Sequence, residues 1–164
     1  MYGVIVLIVY GWTIIWFFWR LPGWLFFLSA PEILMAFAYA LATNLVESLA
    51  VLCVLYLLSL ILPSSWFRDV FVARGAALAI AGLAYMMFLT YQFQLKSDYP
   101  SLPLQAWQLV VPSAGIPLLA YVVGRVGLLR KVLESVADRA TIFLYVTVPL
   151  SVLSAVVILV RVVA

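Results

Sequence analysis

The chain has 164 residues, 68% of them hydrophobic and 9% charged, with a mean hydropathy of +1.25. Soluble domains carry about 25% charged residues, so this composition excludes an ordinary soluble domain and places the chain in lipid. A formal charge of +3 gives no signal for nucleic acid as a partner, and the absence of histidine removes the commonest metal ligand and general base.

In a bilayer the backbone must satisfy its own polar groups, so only helices or a closed barrel span. The apolar runs here are continuous and longer than barrel strands, which alternate apolar and polar residues. The predicted fold is all-α: a polytopic transmembrane helical bundle of five spans, organised as one domain over 1–164. The alternative is four spans plus a re-entrant or interfacial N-terminal segment. The single cysteine, Cys53, lies inside an apolar run and reads as a small core residue.

The first segment runs from about Val4 to Trp19, with Trp12, Trp16 and Trp19 along one side and Arg20 at its end. Tryptophan favours the headgroup level, so this end is expected near an interface. Leu21, Pro22, Gly23 and Trp24 are expected to break the helix. The start lacks the basic leader and A-x-A site of a signal peptide, so the segment is expected in the mature protein.

Ser29 followed by Glu32 reads as a capping box, with Pro31 tolerated in the first turn. The second helix then runs to Leu62, where Pro63 stops it. The third segment, about Val72 to Leu95, begins with Gly75, Ala76, Ala77 and Ala79, and Gly82 follows. Its small-residue stripe is expected to pack on the polar stripe of the second helix. Lys96 to Pro103 reads as a polar loop. The fourth segment, Leu104 to Val123, contains Pro112, Ser113, Gly115 and Pro117. Two missing backbone donors predict a broken helix at membrane depth. Residues 125–139 alternate apolar and charged faces and read as a separate amphipathic helix on the membrane surface. The fifth span covers Ala140 to Val163.

Three constellations are candidates for function. The first is a polar stripe on the second helix: Thr43, Asn44, Glu47 and Ser48. A carboxyl at the midplane is a functional-site candidate by default. Glu47 is expected to face the bundle interior and hydrogen-bond another span, with Tyr85, Ser113 or Ser151 as partner. The structural reading is a neutral Glu47 fixing helix register; the functional reading is a proton, cation or headgroup site. The second is the helix break at Pro112, Ser113, Gly115 and Pro117, since broken helices expose backbone to substrate in many transporters. Against that stands a simple kink that shapes packing. The third is the set Arg125, Arg130, Lys131 and Arg139, expected to meet anionic lipid headgroups. Its rival is a solvated connector. No nucleotide, zinc or serine-hydrolase motif occurs, so no catalytic residue, metal site or cofactor is expected.

Basic residues orient the chain. With the N-terminus cytoplasmic, Arg68, Arg74, Arg125, Arg130, Lys131 and Arg139 lie inside, and Arg20, Lys96 and Arg161 lie outside. That six-to-three split predicts a cytoplasmic N-terminus and an external C-terminus.

Six tryptophans in a five-span chain of this size make it similar to the tryptophan-rich sensory protein family of tetrapyrrole and sterol binders. Residues Arg20 to Trp24 do not reproduce that family's Trp-Pro-rich loop motif, so no site residue is carried over. The five-span body also looks like the membrane anchor of lipoteichoic-acid-synthase-like enzymes, without their extracellular catalytic domain. The leading expectation is a non-enzymatic subunit or scaffold of a membrane assembly. Its partners would be membrane lipids and other membrane subunits or a second copy. The alternatives are a transporter or channel-like protein using Glu47, and a binder of lipid or apolar ligands.

Overall fold

A computed structural model describes residues 1–61, 70–95 and 102–163 of the chain. Among them are five helices and no strand: α1 (Tyr2–Trp24), α2 (Ala30–Ile61), α3 (Phe71–Leu95), α4 (Leu102–Arg125) and α5 (Gly127–Val163). Four contain stretches long and apolar enough to cross a membrane; the apolar part of α4, Val110–Arg125, is shorter. The fold is therefore an all-helical membrane bundle. The expected stop at Pro63 and the pairs Arg68–Asp69 and Lys96–Asp98 lie outside the described residues.

Helix boundaries follow local chemistry at several points. The Glu32 carboxylate accepts from both the backbone N–H and the hydroxyl of Ser29, at 2.8 and 2.7 Å, and α2 begins at the next residue. The expected cap is present. The first segment, however, does not break at Leu21. It stays helical through Pro22 to Trp24, where Leu25, Phe27 and Leu28 complete a last turn with bonds to Leu21 and Trp24 carbonyls. A proline removes a single bond, and here it falls in the final turn, where little helix remains to be disrupted. This makes α1 a full candidate span of 23 residues.

Two further expectations are corrected. The fourth helix is continuous from Leu102 to Arg125, with Pro112 and Pro117 inside it. Each proline deletes one intrahelical bond, and the remaining ladder keeps the helix intact. Residues 125–139 are not a separate surface helix either. Arg125 ends α4, Val126 is the link, and residues 127–139 join the fifth span in one 37-residue helix, about 55 Å long at 1.5 Å per residue. The segment contains neither proline nor a long polar run where it could turn.

The chain divides into two compact units, one of Met1 and Leu55–Ala137, the other of Tyr2–Val54 and Asp138–Ala164. In the first, α3 packs on α4 through Ala77, Ala120 and Val123, with Leu78 and Leu133 against them. Ala77 of α3 thus serves an α3–α4 seam, while Asn44 and Ser48 of α2 find partners on α1. In the second unit the core is Val4, Ile5, Val6, Val9 and Tyr10 of α1. Gly3 lets α1 approach α5 closely: a Cβ there would lie 2.7 Å from the backbone carbonyl of Ala140 and 2.8 Å from the nitrogen of Thr141. Many large apolar side chains elsewhere are exposed, as expected where the outer surface meets acyl chains.

Candidate functional site

The polar stripe on α2 splits into two faces. Leu41, Asn44, Ser48, Leu55 and Ser59 are buried; Thr43, Val46, Glu47, Ala50 and Val54 are exposed. Successive helical residues are turned by about 100°, so Thr43 is turned away from Asn44 and Glu47 from Ser48. The buried positions recur at steps of three, four and seven, the repeat of a packed seam.

The inward half of the stripe is tied to α1. The Thr13 hydroxyl donates to Asn44 Oδ1 at 2.9 Å. Ser48 is fully buried and gives its proton to the Leu45 carbonyl at 3.0 Å, so at 3.1 Å it is the Tyr2 hydroxyl that donates to Ser48 Oγ. Toward α5, the hydroxyls of Tyr10 and Ser151 share a bond of 2.7 Å, with Ser151 fully buried on α5. Three polar pairs therefore fix α1 against its neighbours. They also satisfy groups that would be costly in hydrocarbon. The Asn44 amide nitrogen is buried without a hydrogen-bond partner among the described residues.

The outward half is unlike this. Glu47 is exposed on α2, and no hydrogen bond or ion pair reaches it among the described residues. It lies about 26 Å along the helix from Ala30 and about 21 Å from Ile61, at mid-depth of the span. The expectation that it points into the bundle and bonds another helix is overturned. Ser151 is taken by Tyr10, and Ser113 is exposed and donates to its own helix at Val110. Thr43 likewise donates to the Tyr39 carbonyl on its own helix, at 2.9 Å. Cys53, expected in the core, is exposed on the same helix.

Pro112, Ser113 and Pro117 line one wall of a shallow cleft against Gly82, Tyr85 and Met86, whereas Gly115 is exposed outside it. With the helix unbroken, these residues present side chains rather than unwound backbone. The four basic candidates are divided between the two units. Arg125 ends α4, with its guanidinium 5.0 Å from the centre of the Tyr121 ring. Arg130 pairs with Glu134 at 2.8 Å, Lys131 is exposed, and Arg139 belongs to the other unit.

Sequence reasoning missed the α1 partners Tyr2, Tyr10 and Thr13. Their spacing of eight and three puts them on one helical face, a signal present in the sequence. It also missed the burial of Arg74 at 7% exposure, and nothing in the local sequence marks that. Groups of three or more histidine, cysteine or carboxylate side chains able to hold a metal are absent among the described residues. No protein-family model, curated protein or solved structure matches the chain.

Proposed function

We propose that the protein is a non-enzymatic subunit of a membrane assembly, joined to its partner through the outer face of α2. The observation that supports this is Glu47. A carboxyl at mid-span is rare on a lipid-facing surface; such groups face protein or water. Here the chain itself covers the inner face of α2 and leaves Glu47 outside, in line with Thr43, Ala50 and Val54 at steps of four, three and four. Small residues beside a polar one suit close helix packing, with the carboxyl hydrogen-bonded across the interface. The orientation that goes with this reading has the N-terminus in the cytoplasm and the C-terminus outside, on the strength of the basic-residue distribution.

The transporter reading has lost its second support, since α4 is continuous. The test of the assembly reading is purification from native membranes in mild detergent. Wild type and Glu47→Gln are expected in a discrete larger species of fixed composition, and Glu47→Leu as the chain alone. A wild-type chain that is monomeric both after this extraction and in lipid nanodiscs refutes the proposal.

A further inference from the structure

Two guanidinium groups converge on one ring where α3 begins and α4 ends. Arg74 Cζ lies 6.0 Å from the centre of Tyr121, and Arg125 Cζ lies 5.0 Å from it. The Arg74 side chain crosses α4 at Gly124, where any Cβ would collide with its guanidinium. Glycine there is what gives the arginine its berth. The charged residues described in this unit are Arg74, Arg125, Arg130 and Lys131 against a single acid, Glu134, which is engaged by Arg130. Arg74 and Arg125 together bring two guanidinium charges to the Tyr121 ring.

Farther along the same helix pair is a cleft of about 340 Å³, lined by Gly82, Tyr85 and Met86 of α3 and Pro112, Ser113, Ile116 and Pro117 of α4. Its lining is almost wholly apolar. Tyr85 is eleven residues from Arg74, about 16 Å along the helix. That is close to the depth of one leaflet in a hydrocarbon core about 30 Å thick.

We propose that α3 and α4 bind one anionic phospholipid, with its phosphate held by Arg74 and Arg125 beside Tyr121 and an acyl chain lying in the cleft. Arginine presents five donors in a planar fork that suits phosphate oxygens, so one guanidinium serves a protein contact and a phosphate together. The Tyr121 ring steadies both cations through its face. The spacing between cluster and cleft matches a headgroup at the interface and a chain below it. This site is distinct from the outer face of α2 and holds whether or not an assembly forms.

The test is native mass spectrometry of the full chain titrated with phosphatidylglycerol, phosphatidylcholine or inorganic phosphate, with helical content of each variant checked by circular dichroism. Wild type is expected to retain one phosphatidylglycerol in preference to phosphatidylcholine. Arg125→Gln should weaken that retention about fivefold, and Arg74→Gln with Arg125→Gln about thirtyfold. Arg130→Gln with Lys131→Gln should change it less than about twofold, since Arg130 is already paired. Met86→Trp, which fills the cleft, should lower affinity and leave the headgroup preference intact. Should Arg74→Gln not fold, Gly124→Ala, which displaces the same guanidinium, takes its place beside the exposed Arg125. Equal losses in the Arg130/Lys131 variant would mean diffuse attraction and overturn the site. So would equal retention of both lipids, or displacement of the lipid by inorganic phosphate, which would make the ligand a soluble anion.

Discussion

Gly3 offers the sharpest mechanical test of the packing. A methyl group at this position would sit 2.7 Å from both the carbon and the oxygen of the Ala140 carbonyl, and 2.8 Å from Thr141 N. Ordinary carbon contacts lie at about 3.5–4.0 Å. The atoms in the way are backbone and cannot swing aside, so α1 and α5 must part by about 1 Å. A gap of that size forfeits up to half of each contact's dispersion energy. It would also stretch the 2.7 Å bond between Tyr10 and Ser151, which joins the same two helices. Overpacking of this kind costs about 1–3 kcal/mol. Gly11 lies on the same helix with open space where its Cβ would go. Gly11→Ala should therefore be neutral or stabilise by up to about 1 kcal/mol, through helix propensity alone. Steric-trapping or detergent-titrated unfolding in bicelles measures both. Opposite signs are expected. A Gly3→Ala protein as stable as wild type would show that α1 does not approach α5 this closely.

The Tyr10–Ser151 pair should respond asymmetrically. After Tyr10→Phe, Ser151 can turn its hydroxyl to a carbonyl of its own helix, so the loss should be near 0.6 kcal/mol; Ser151→Ala strands the buried phenol and should cost about 1–3 kcal/mol in the same assay. A larger loss for Tyr10→Phe would contradict the pairing. Pro112→Ala and Pro117→Ala each restore a donor to a helix that is already continuous, so thermal midpoints should hold or rise; a fall in either would mean the prolines are required for the fold. A reporter active only outside the cytoplasm, fused after Ala164, should be active, as the six-to-three charge split requires. An inactive reporter on a folded, inserted chain would reverse the topology.

Much of this architecture is legible in the sequence because membrane helices are set by composition over long windows. The spans, the Ser29–Glu32 cap and the weight of basic residues after α4 all follow from such signals. What failed was finer. Thr43, Asn44, Glu47 and Ser48 read as one stripe because their steps are short, but a helical face is narrower than four residues in six, and packing chose Asn44 and Ser48. Pro112 and Pro117 read as a break because each removes a backbone donor at membrane depth. Inside an otherwise intact ladder, two missing bonds five residues apart do not unwind the helix. The helix over 127–163 runs on because its amphipathic start carries no breaker, and charge alone does not end a helix. Arg74 was counted only among the cytoplasmic charges, since its burial depends on Gly124, fifty residues away.

The assembly reading stands or falls on what touches the outer face of α2 in the membrane. A photocrosslinking residue placed at Ala50, one turn from Glu47 on the exposed face, measures this directly in intact native membranes. The account predicts one discrete protein adduct, retained with Glu47→Gln and lost with Glu47→Leu. The same probe at Leu118, exposed on α4, should give lipid adducts alone. Lipid adducts alone at Ala50 as well would contradict the claim that Glu47 faces a partner.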